Sequence, residues 1–239
     1  MCLNGCWAKG PDAYLNNMPG ILCRFREENT AFQGDIRKMY NSVKLSLPDQ
    51  HVHRFVWREN PKNPPKIYAI CVVNIGDKPA GAIATECAYK TAEMCKNEYP
   101  EAAEVIWNST YVDDIVDSVS GKENAIKLAE EVDHVFKKGN FHVKRWIFSG
   151  QQPNPDTLSI PVGMEGEKSR VLGIIWVPEK DVLQFAVKIN FSKKKRKVCS
   201  GPDINKFELA KEMPLILTRR IVMSQALSTF DLPGLITPW

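Results

Sequence analysis

The sequence predicts an α+β fold in which helices pack on one face of an antiparallel sheet. Short runs rich in β-branched and aromatic residues alternate with turn signals, and two long helical patterns lie between them. Their order along the chain is strand, hairpin, helix, hairpin, helix, strand, which is typical of an α+β arrangement. The 239 residues suffice for one sizeable core, with or without a small appended lobe.

The first predicted elements are a helix, a strand and a hairpin. Apolar residues at helical spacing over residues 12–28 predict a helix that is kinked or restarts at Pro19. Residues 31–36 predict a short strand that carries an acid near its end. Residues 55–57 and 67–72 flank a loop rich in Pro, Asn and Lys, and they predict a longer hairpin.

Two helices are predicted in the middle of the chain. The segment 76–79 contains Gly and Pro and opens a helix rich in small residues, from Ala80 to about Asn97. The segment 120–123 matches a capping box, and Gly139 ends the helix that follows it. The second helix carries an apolar stripe of Ala125, Leu128, Ala129, Val132, Val135 and Phe136.

The last third of the chain predicts strands and one more helix. Residues 141–148 form a strand with basic residues. Residues 171–176 and 182–185 predict a hairpin that turns across residues 178–181. A final helix is expected from about residue 215 to 227, and the chain contains no internal repeat.

An acidic stretch between the two central helices carries the strongest chemical signal. Residues 110–117 read as two short strands joined by a tight turn that carries Asp113 and Asp114. Adjacent like charges destabilise a turn unless a cation lies there, and hard oxygen ligands suit Mg²⁺. The alternative is an ordinary hairpin with a solvated acidic turn. The predicted sheet brings Asp35 onto a strand adjacent to both aspartates.

Composition excludes several other kinds of protein. The net charge of +4 is too small to establish a nucleic-acid partner. Seven scattered cysteines form no CxxC pair, and the pair His51 and His53 is interpreted as a polar strand edge rather than half a metal site. The thiols and the lack of an apolar leader or membrane-spanning run predict an intracellular protein, cytoplasmic or nuclear, with no membrane partner.

A run of basic residues lies near the start of the last quarter of the chain. It predicts either a nuclear localisation signal or a patch that binds phosphates. The run consists of Lys193, Lys194, Lys195, Arg196 and Lys197.

Three sequence motifs follow one another in a distinctive order along the chain. Asp35 ends a strand and is followed five residues later by Tyr40, then comes the helix opened by Gly and Pro, then the Tyr-x-Asp-Asp hairpin. This order and spacing resembles motifs A, B and C of a reverse transcriptase palm. The surrounding residues are similar to the reverse transcriptase of BEL/Pao-type LTR retrotransposons. They comprise residues 11–12, 15–17, 22–26, 34–40, 90–93 and 230–235.

The resemblance implies a palm-type antiparallel sheet with partial fingers and a partial thumb. Residues 1–177 would form fingers and palm, without the N-terminal part of the fingers, and residues 178–239 would begin the thumb or connection. The implied activity is that of an RNA-directed DNA polymerase fragment, with an RNA or DNA template, a primer and dNTPs as partners. The alternative is a catalytically dead remnant or a co-opted nucleic-acid-binding protein. The oligomeric state is left open.

The resemblance also implies a metal site. Asp35 and Asp113 would bridge two Mg²⁺ ions, for which Mn²⁺ could substitute, and Asp114 would complete the carboxylate set. The ions would bind the incoming triphosphate and activate the primer 3′-hydroxyl for an in-line displacement.

Further roles follow from the resemblance. Tyr40 would contact the sugar of the incoming nucleotide and exclude a 2′-hydroxyl, unless it is simply a core tyrosine. Gly76 would let the backbone approach the nucleotide or template. Lys144 would be the general acid for the leaving pyrophosphate, although Arg145 could occupy that place.

The remaining two assignments concern nucleic acid. Gly173 would allow close approach of the primer strand, with a core-hairpin glycine as the alternative. The basic run 193–197 is expected to contact the duplex backbone, in preference to nuclear import or a merely solvated loop.

Overall fold

The computed structural model divides into two compact units, Met1–Met164 and Glu165–Trp239. Each is treated separately below. The residues that the structure describes are 2–11, 15–164, 166, 169–184 and 213–226.

The first unit combines helices with an antiparallel sheet, which confirms the predicted α+β class. Its helices are α1 Leu3–Cys6, α2 Met18–Phe25, α3 Leu47–Gln50, α4 Ala80–Cys95, α5 Pro100–Asn108 and α6 Lys122–Lys138. Its strands are β1 Thr30–Ile36, β2 Arg54–Trp57, β3 Lys66–Ala69, β4 Thr110–Tyr111, β5 Asp114–Val119 and β6 Val143–Phe148.

The main sheet has four strands in the order β4-β5-β1-β6, so β1 lies between β5 and β6. Both pairings of β1 are antiparallel. Phe32 and Ile36 of β1 belong to the core cluster that also contains residues of α4, α5 and α6. Because side chains alternate across a strand, Gln33 and Asp35 lie on the opposite face. The acid at the end of β1 therefore points away from the helices of the core.

Small side chains let the three core helices approach one another and the sheet closely. The fully or almost fully buried alanines of these helices are Ala84, Ala88, Ala92, Ala102, Ala103, Ala125 and Ala129. Aromatic rings fill the space that remains, among them Phe136 and Phe141, whose centroids are 5.8 Å apart. Burial of such apolar surface is the main favourable contribution to folding.

Gly34 has a packing role directly before the acid of β1. It pairs with Trp146 of β6, whose ring is fully buried. A Cβ at position 34 would lie 2.8 Å from Cζ3 of Trp146, so only glycine leaves room for this ring. The register of β1 against β6, and with it the position of Asp35, depends on this close contact.

The predicted hairpin of residues 55–57 and 67–72 is present as the two-stranded sheet of β2 and β3, although β3 already ends at Ala69. The Phe55 and Tyr68 rings stack at 5.7 Å. Val56 and Ile67 pair on the other face and are 65% and 71% exposed. His51–His53 form a 3₁₀ turn before β2, so the interpretation of these histidines as a strand edge is wrong.

Two helix starts differ in detail from the sequence pattern. Helix α2 begins at Met18 with Pro19 in its first turn, and Asn17 caps it by accepting a hydrogen bond from Gly20 N at 2.9 Å. The helix thus starts at the proline and is not kinked by it. The predicted capping box of α6 is wrong, because Gly121, at φ +89°, occupies the N-cap and offers no side chain.

The second unit contains a three-stranded antiparallel sheet of β7 Ser169–Val171, β8 Ile174–Val177 and β9 Val182–Gln184. The predicted turn across 178–181 is confirmed, but the single strand over 171–176 is wrong. Leu172 and Gly173 have φ of +48° and +92° and form a two-residue turn between β7 and β8. Turns of this kind match the right-handed twist of paired strands.

One further helix of the second unit is described, α7 Arg219–Ala226. It lies within the helix expected from about 215 to 227. The basic run 193–197 lies outside the described residues. Within the described part of the chain, every helix is too short or too polar to cross a bilayer.

Candidate active site

The acidic hairpin has the predicted form, with one change. Val112 and Asp113 connect β4 to β5, whereas Asp114 is the first residue of β5. Asp113 is exposed at the turn and Asp114 is half-buried. Val112 has a φ of +55°, which is unusual for a β-branched residue and stores backbone strain. A strained backbone conformation persists only where the surrounding structure holds it in place. Such residues are common at functional sites.

The fold brings the three predicted acids to one end of adjacent strands. Asp35 pairs with Asp114 in the register of β1 against β5. The Asp113 carbonyl accepts a hydrogen bond from Ile36 N at 2.8 Å, which ties the turn to the end of β1. Directly opposite residues of an antiparallel pair project to the same face. The Asp35 and Asp114 carboxylates therefore share one face of the sheet.

Contacts from outside the sheet hold the hairpin in place. The Asn16 side-chain amide donates to the carbonyl oxygens of Trp107 and Thr110, both at 2.8 Å. Arg24 Nε of α2 donates to Ser109 Oγ at 3.1 Å. Both contacts fix the junction of α5 and β4, immediately before the acidic turn. Helix α2 and the segment that precedes it thus help to hold the start of the acidic hairpin.

The two aspartates of the acidic turn both have a pKa above the ordinary value of an aspartate. Burial, followed by the charges of Asp113 and Asp35, raises the pKa of Asp114 to about 7, against the lowering effect of a hydrogen bond from Gln33. Burial and the charge of Asp35 also raise the pKa of Asp113. Neighbouring carboxylates disfavour each other's ionised form, and a bound cation reverses that effect.

The donor set fits a hard divalent cation only in part. Carboxylate oxygens on a strand end are the ligands that Mg²⁺ prefers, and Mg²⁺ needs only one or two of them beside substrate phosphates. Asp35 and Asp113 border the same cleft. Across the described ranges, however, no three His, Cys, Asp or Glu side chains stand close enough together to hold a metal ion. Of the three predicted acids, Asp35 and Asp113 are the two that line the cleft.

The cleft itself has a volume of about 760 Å³ and combines the two acids with several cations. Its lining residues are Asp35, Ile36, Arg37, Lys38, Asp113, Asp133, Lys137, His142, Val143, Lys144 and Pro161. Lys144 Nζ lies 3.9 Å from Asp35 Oδ2, and its side chain is 57% exposed. An ammonium group next to a metal-binding carboxylate can bind phosphate oxygens and donate a proton. The register of β1 against β6 shifts between Gly34 and Ile36, so both Lys144 and Arg145 lie opposite Asp35, and the choice between them stays open.

Three polar residues near the acids were not singled out from the sequence. Gln33, 5% exposed, hydrogen bonds with Asp114. Asp133 Oδ2 lies 2.6 Å from Lys137 Nζ, and the Asp133 side chain is only 3% exposed. The spacing of Asp133 and Lys137 by four residues on a helix was visible in the sequence, but such pairs are common on helix surfaces. Only the packing of α6 shows that this aspartate is buried.

Tyr40 lies close to the acidic turn. It belongs to the 3₁₀ turn Met39–Ser42 that follows β1, is half-buried, and packs against the core cluster. Its phenol has a raised pKa, first through burial and then through the charge of Asp113. The phenol therefore feels the charge of Asp113, but Tyr40 is not among the residues that line the cleft.

Gly76 and Gly173 have backbone roles. Gly76 has a φ of +98°, and an added Cβ would meet no atom within 4 Å, so its conformation rather than its size requires glycine. Its carbonyl accepts a hydrogen bond from Asn4 Nδ2 at 2.8 Å. Gly173 lies in the β7–β8 turn of the second unit. The structure tests neither residue's predicted contact with nucleotide or primer.

The fold and the cleft define a class of domain. It is an α+β domain whose central antiparallel strands present carboxylates to a cleft that is also lined by cationic side chains. Oxygen ligands beside ammonium groups suit a phosphate-containing substrate bound through a divalent cation.

Comparison with known proteins gives two kinds of result. No protein-family model matches the chain, and no curated protein matches it. Among solved structures, the foamy viral protease-reverse transcriptase in complex with an RNA/DNA hybrid is similar, with 16% identity, a TM-score of 0.46 and 70% of this chain covered. A second structure of that protein, "dRH in complex with ds DNA", has 16% identity, a TM-score of 0.49 and 74% coverage.

The matched region is a small part of those proteins. This chain covers 19% of the first and 26% of the second. At this identity and TM-score the likeness concerns the backbone arrangement and decides nothing about activity.

Proposed function

We propose that this chain is the polymerase portion of a BEL/Pao-type reverse transcriptase, which adds deoxynucleotides to a primer 3′-hydroxyl on an RNA or DNA template. The observation that carries the proposal is the pairing of Asp35 with Asp114 across β1 and β5, with Asp113 at the turn beside them. The order of the motifs along the sequence, and the cations of the cleft, point to the same substrate class.

Each of the proposed site residues has a separate role that follows from its chemistry. Asp35 and Asp113 offer carboxylate oxygens to Mg²⁺, or to Mn²⁺ as a substitute, and Asp114 supports them from β5. Metal ions held there would supply Lewis-acid stabilisation of the attacking and leaving oxygens. Lys144, next to Asp35, donates a proton to the departing pyrophosphate. Tyr40 excludes a 2′-hydroxyl by contact with the sugar.

The partners follow from the same proposal. The template-primer duplex presents a phosphate backbone, and the basic run 193–197 would bind it through charge. Gly76 would lie near the incoming nucleotide, and Gly173 in the β7–β8 turn would lie near the primer.

A second candidate function is a nucleic-acid-binding domain that does not catalyse. The observation that favours it is the lack, in the described part of the chain, of three metal-ligating side chains in one group. Such a domain would bind template and primer through the same cations but would leave the primer unextended.

Primer extension on an RNA template with Mg²⁺ distinguishes the two candidates. The wild-type chain is compared with Asp113→Asn and Asp114→Asn, which remove charge without changing size. Asp156→Asn, an exposed aspartate in a 3₁₀ turn outside the cleft, is the matched control. The proposal expects extension by the wild type and the control only.

Template-primer binding is measured for the same four proteins. Equal extension by all of them would refute the proposed site. Binding without extension by the wild type would establish the second candidate.

A further inference from the structure

A second cavity lies in the first unit, with a lining that differs from that of the cleft. Its volume is about 250 Å³, and its walls are mostly apolar. The lining residues are Trp7, Leu45, Asp49, Val52, His53, Val73, Asp77, Pro79, Ala80 and Ile83. None of them is among the residues that line the cleft at Asp35. Apolar cavities with a few convergent polar groups are the usual form of small-ligand sites.

The wall that contains Trp7 is held by hydrogen bonds. Asn4 donates from Nδ2 to Gly76 O and accepts from Lys78 N at Oδ1, both at 2.8 Å. Lys78 Nζ donates to Trp7 O at 2.9 Å. These contacts tie the segment around α1 to the loop that opens α4. The backbone at Trp7 is therefore held in place before any ligand binds, which lowers the entropic cost of binding.

A polar pair faces the cavity from the opposite elements. His53 Nε2 lies 3.4 Å from Asp77 Oδ2, and the two side chains are only 7% and 13% exposed. The rings of Trp7 and His53 lie 5.4 Å apart, at an interplanar angle of 51°. A buried acid–base pair is costly to desolvate, and an apolar pair of the same size is often as stable. The presence of the His53–Asp77 pair at the cavity wall indicates a role in binding a ligand.

The dimensions and the chemistry limit the ligand. Ligand pockets for drug-sized molecules measure roughly 300–1,000 Å³, so this cavity accepts something smaller, such as a single ring system. An indole face favours a flat aromatic partner. Asp77 offers carboxylate oxygens, which accept hydrogen bonds from N–H groups. Because His53 Nε2 already lies beside Asp77 Oδ2, an incoming N–H donor meets the other carboxylate oxygen.

We propose that this cavity binds a nucleobase, a planar heteroaromatic ring with N–H donors, which stacks on Trp7 and donates to Asp77. The base enters alone, and its sugar stays outside the cavity. The site is separate from the carboxylates of the cleft and does not depend on the polymerase activity proposed above.

Equilibrium dialysis of the full chain against guanosine in the presence of EDTA tests the proposal. Guanosine has N–H donors and no phosphate, so neither a metal nor the cations of the cleft contribute to its binding. Asp77→Asn preserves size but replaces an acceptor by a donor, and Ala80→Leu fills the cavity. Each should weaken guanosine binding at least tenfold. Trp57→Ala, on the exposed hairpin, is the control and should bind as the wild type does.

Several results would overturn the proposal. One is the absence of guanosine binding at millimolar concentration by wild-type protein with an intact thermal transition. Another is equal binding by Asp77→Asn and Ala80→Leu. Binding of benzylamine in place of guanosine would show that the site accepts cations instead. Asp113→Asn should bind guanosine normally, so a failure of the polymerase proposal would leave this result unchanged.

Discussion

Asp35 and Asp114 lie directly opposite each other in the antiparallel pairing of β1 with β5. Their side chains share the face of the sheet that is turned away from the core helices. Burial, followed by the charges of Asp113 and Asp35, raises the pKa of Asp114 to about 7. Two carboxylates held this close are unfavourable in themselves, and a bound cation relieves their repulsion. The predictions below follow from this arrangement and from the packing that maintains it.

Lys144 should act as a proton donor in the chemical step. Lys144→Gln removes the ammonium group beside Asp35 and should slow single-turnover extension about 100-fold, the lower end of the usual range for general acid catalysis. Lys144→Arg retains the charge but donates a proton poorly, so it should recover little of the rate. Rapid-quench measurement of one nucleotide addition, as a function of pH, reports this step.

The matched control for Lys144 is Lys127→Gln. Lys127 is an exposed lysine of α6, paired with Glu131 at 3.7 Å. It should extend primers at the wild-type rate. An equal loss in Arg145→Gln and none in Lys144→Gln would transfer the role to Arg145.

Tyr40 should determine sugar selectivity. Tyr40→Ala removes the ring that is proposed to contact the sugar, and it should increase incorporation of ribonucleotides relative to deoxynucleotides by about tenfold or more. Tyr40→Phe retains the ring and should remain selective. The ratio of kcat/KM for the two nucleotides provides the measurement. Unchanged selectivity in Tyr40→Ala would show that Tyr40 serves only the core.

Gly34→Ala should destabilise the protein through a clash with Trp146. The added Cβ lies 2.8 Å from Cζ3 of a fully buried ring, and overpacking of this kind costs about 1–3 kcal/mol. Gly81→Ala is the contrasting variant, because a Cβ there meets nothing within 4 Å in α4. It should stabilise by up to about 1 kcal/mol. Urea unfolding of both variants measures the change in the free energy of unfolding, which should be negative for Gly34→Ala and positive for Gly81→Ala. A Gly34→Ala variant as stable as the wild type would contradict the packing argument.

Asp117 should make stability depend on pH. Burial raises the pKa of Asp117 in the folded chain, against hydrogen bonds from Ser118 N and Ser109. A raised folded pKa contributes stability that is complete below the unfolded value of about 3.9 and is lost as pH rises through the folded pKa. The free energy of unfolding of the wild type should therefore fall, relative to Asp117→Asn, as pH rises from 4 towards neutrality.

The measurement for Asp117 is urea unfolding of both proteins at a series of pH values. The difference between them isolates Asp117, because the other titrating groups are common to both. A difference that is constant over pH 4–7 would mean that Asp117 ionises as it does in the unfolded chain.

The β2–β3 hairpin should promote self-association. Val56 and Ile67 are 65% and 71% exposed and pair on one face of this two-stranded sheet. Exposed apolar strands attract further chains. Replacing both residues with Lys should raise the concentration at which the chain associates by about tenfold or more, as seen in sedimentation velocity. Identical sedimentation of the two proteins would refute this.

Much of the fold could be predicted because periodicity and turn chemistry agree locally. The α6 stripe and the β1 strand follow directly from the spacing of apolar residues. The predictions from sequence were wrong where one local pattern of residues is compatible with two structures. Ser120 and Glu123 fit a capping box, but Gly121 adopts a conformation that only glycine favours. Leu172 and Gly173 continue an apolar run, yet they form a turn.

Some residues of the candidate site could likewise be identified from the sequence, and others could not. Asp35, Asp113 and Tyr40 could be named because their order along the chain resembles a known family. Asp133 and Gln33 could not, since an aspartate on a helix and a glutamine in a strand have no distinctive pattern. Asp133 and Gln33 stand out only because they are buried. Their burial depends on which faces of α6 and β1 pack against the rest of the protein.

The sequence by itself determined the α+β class, the acidic turn between β4 and β5, and the order of the motifs, because these are properties of neighbouring residues. Tertiary structure alone decided that Asp35 opposes Asp114, that Lys144 lies beside Asp35, and that the rings of Trp7 and His53 meet in the wall of a cavity. Those contacts join residues distant in the chain. Their register is set by long-range packing, such as that of Gly34 against Trp146, which no local pattern encodes.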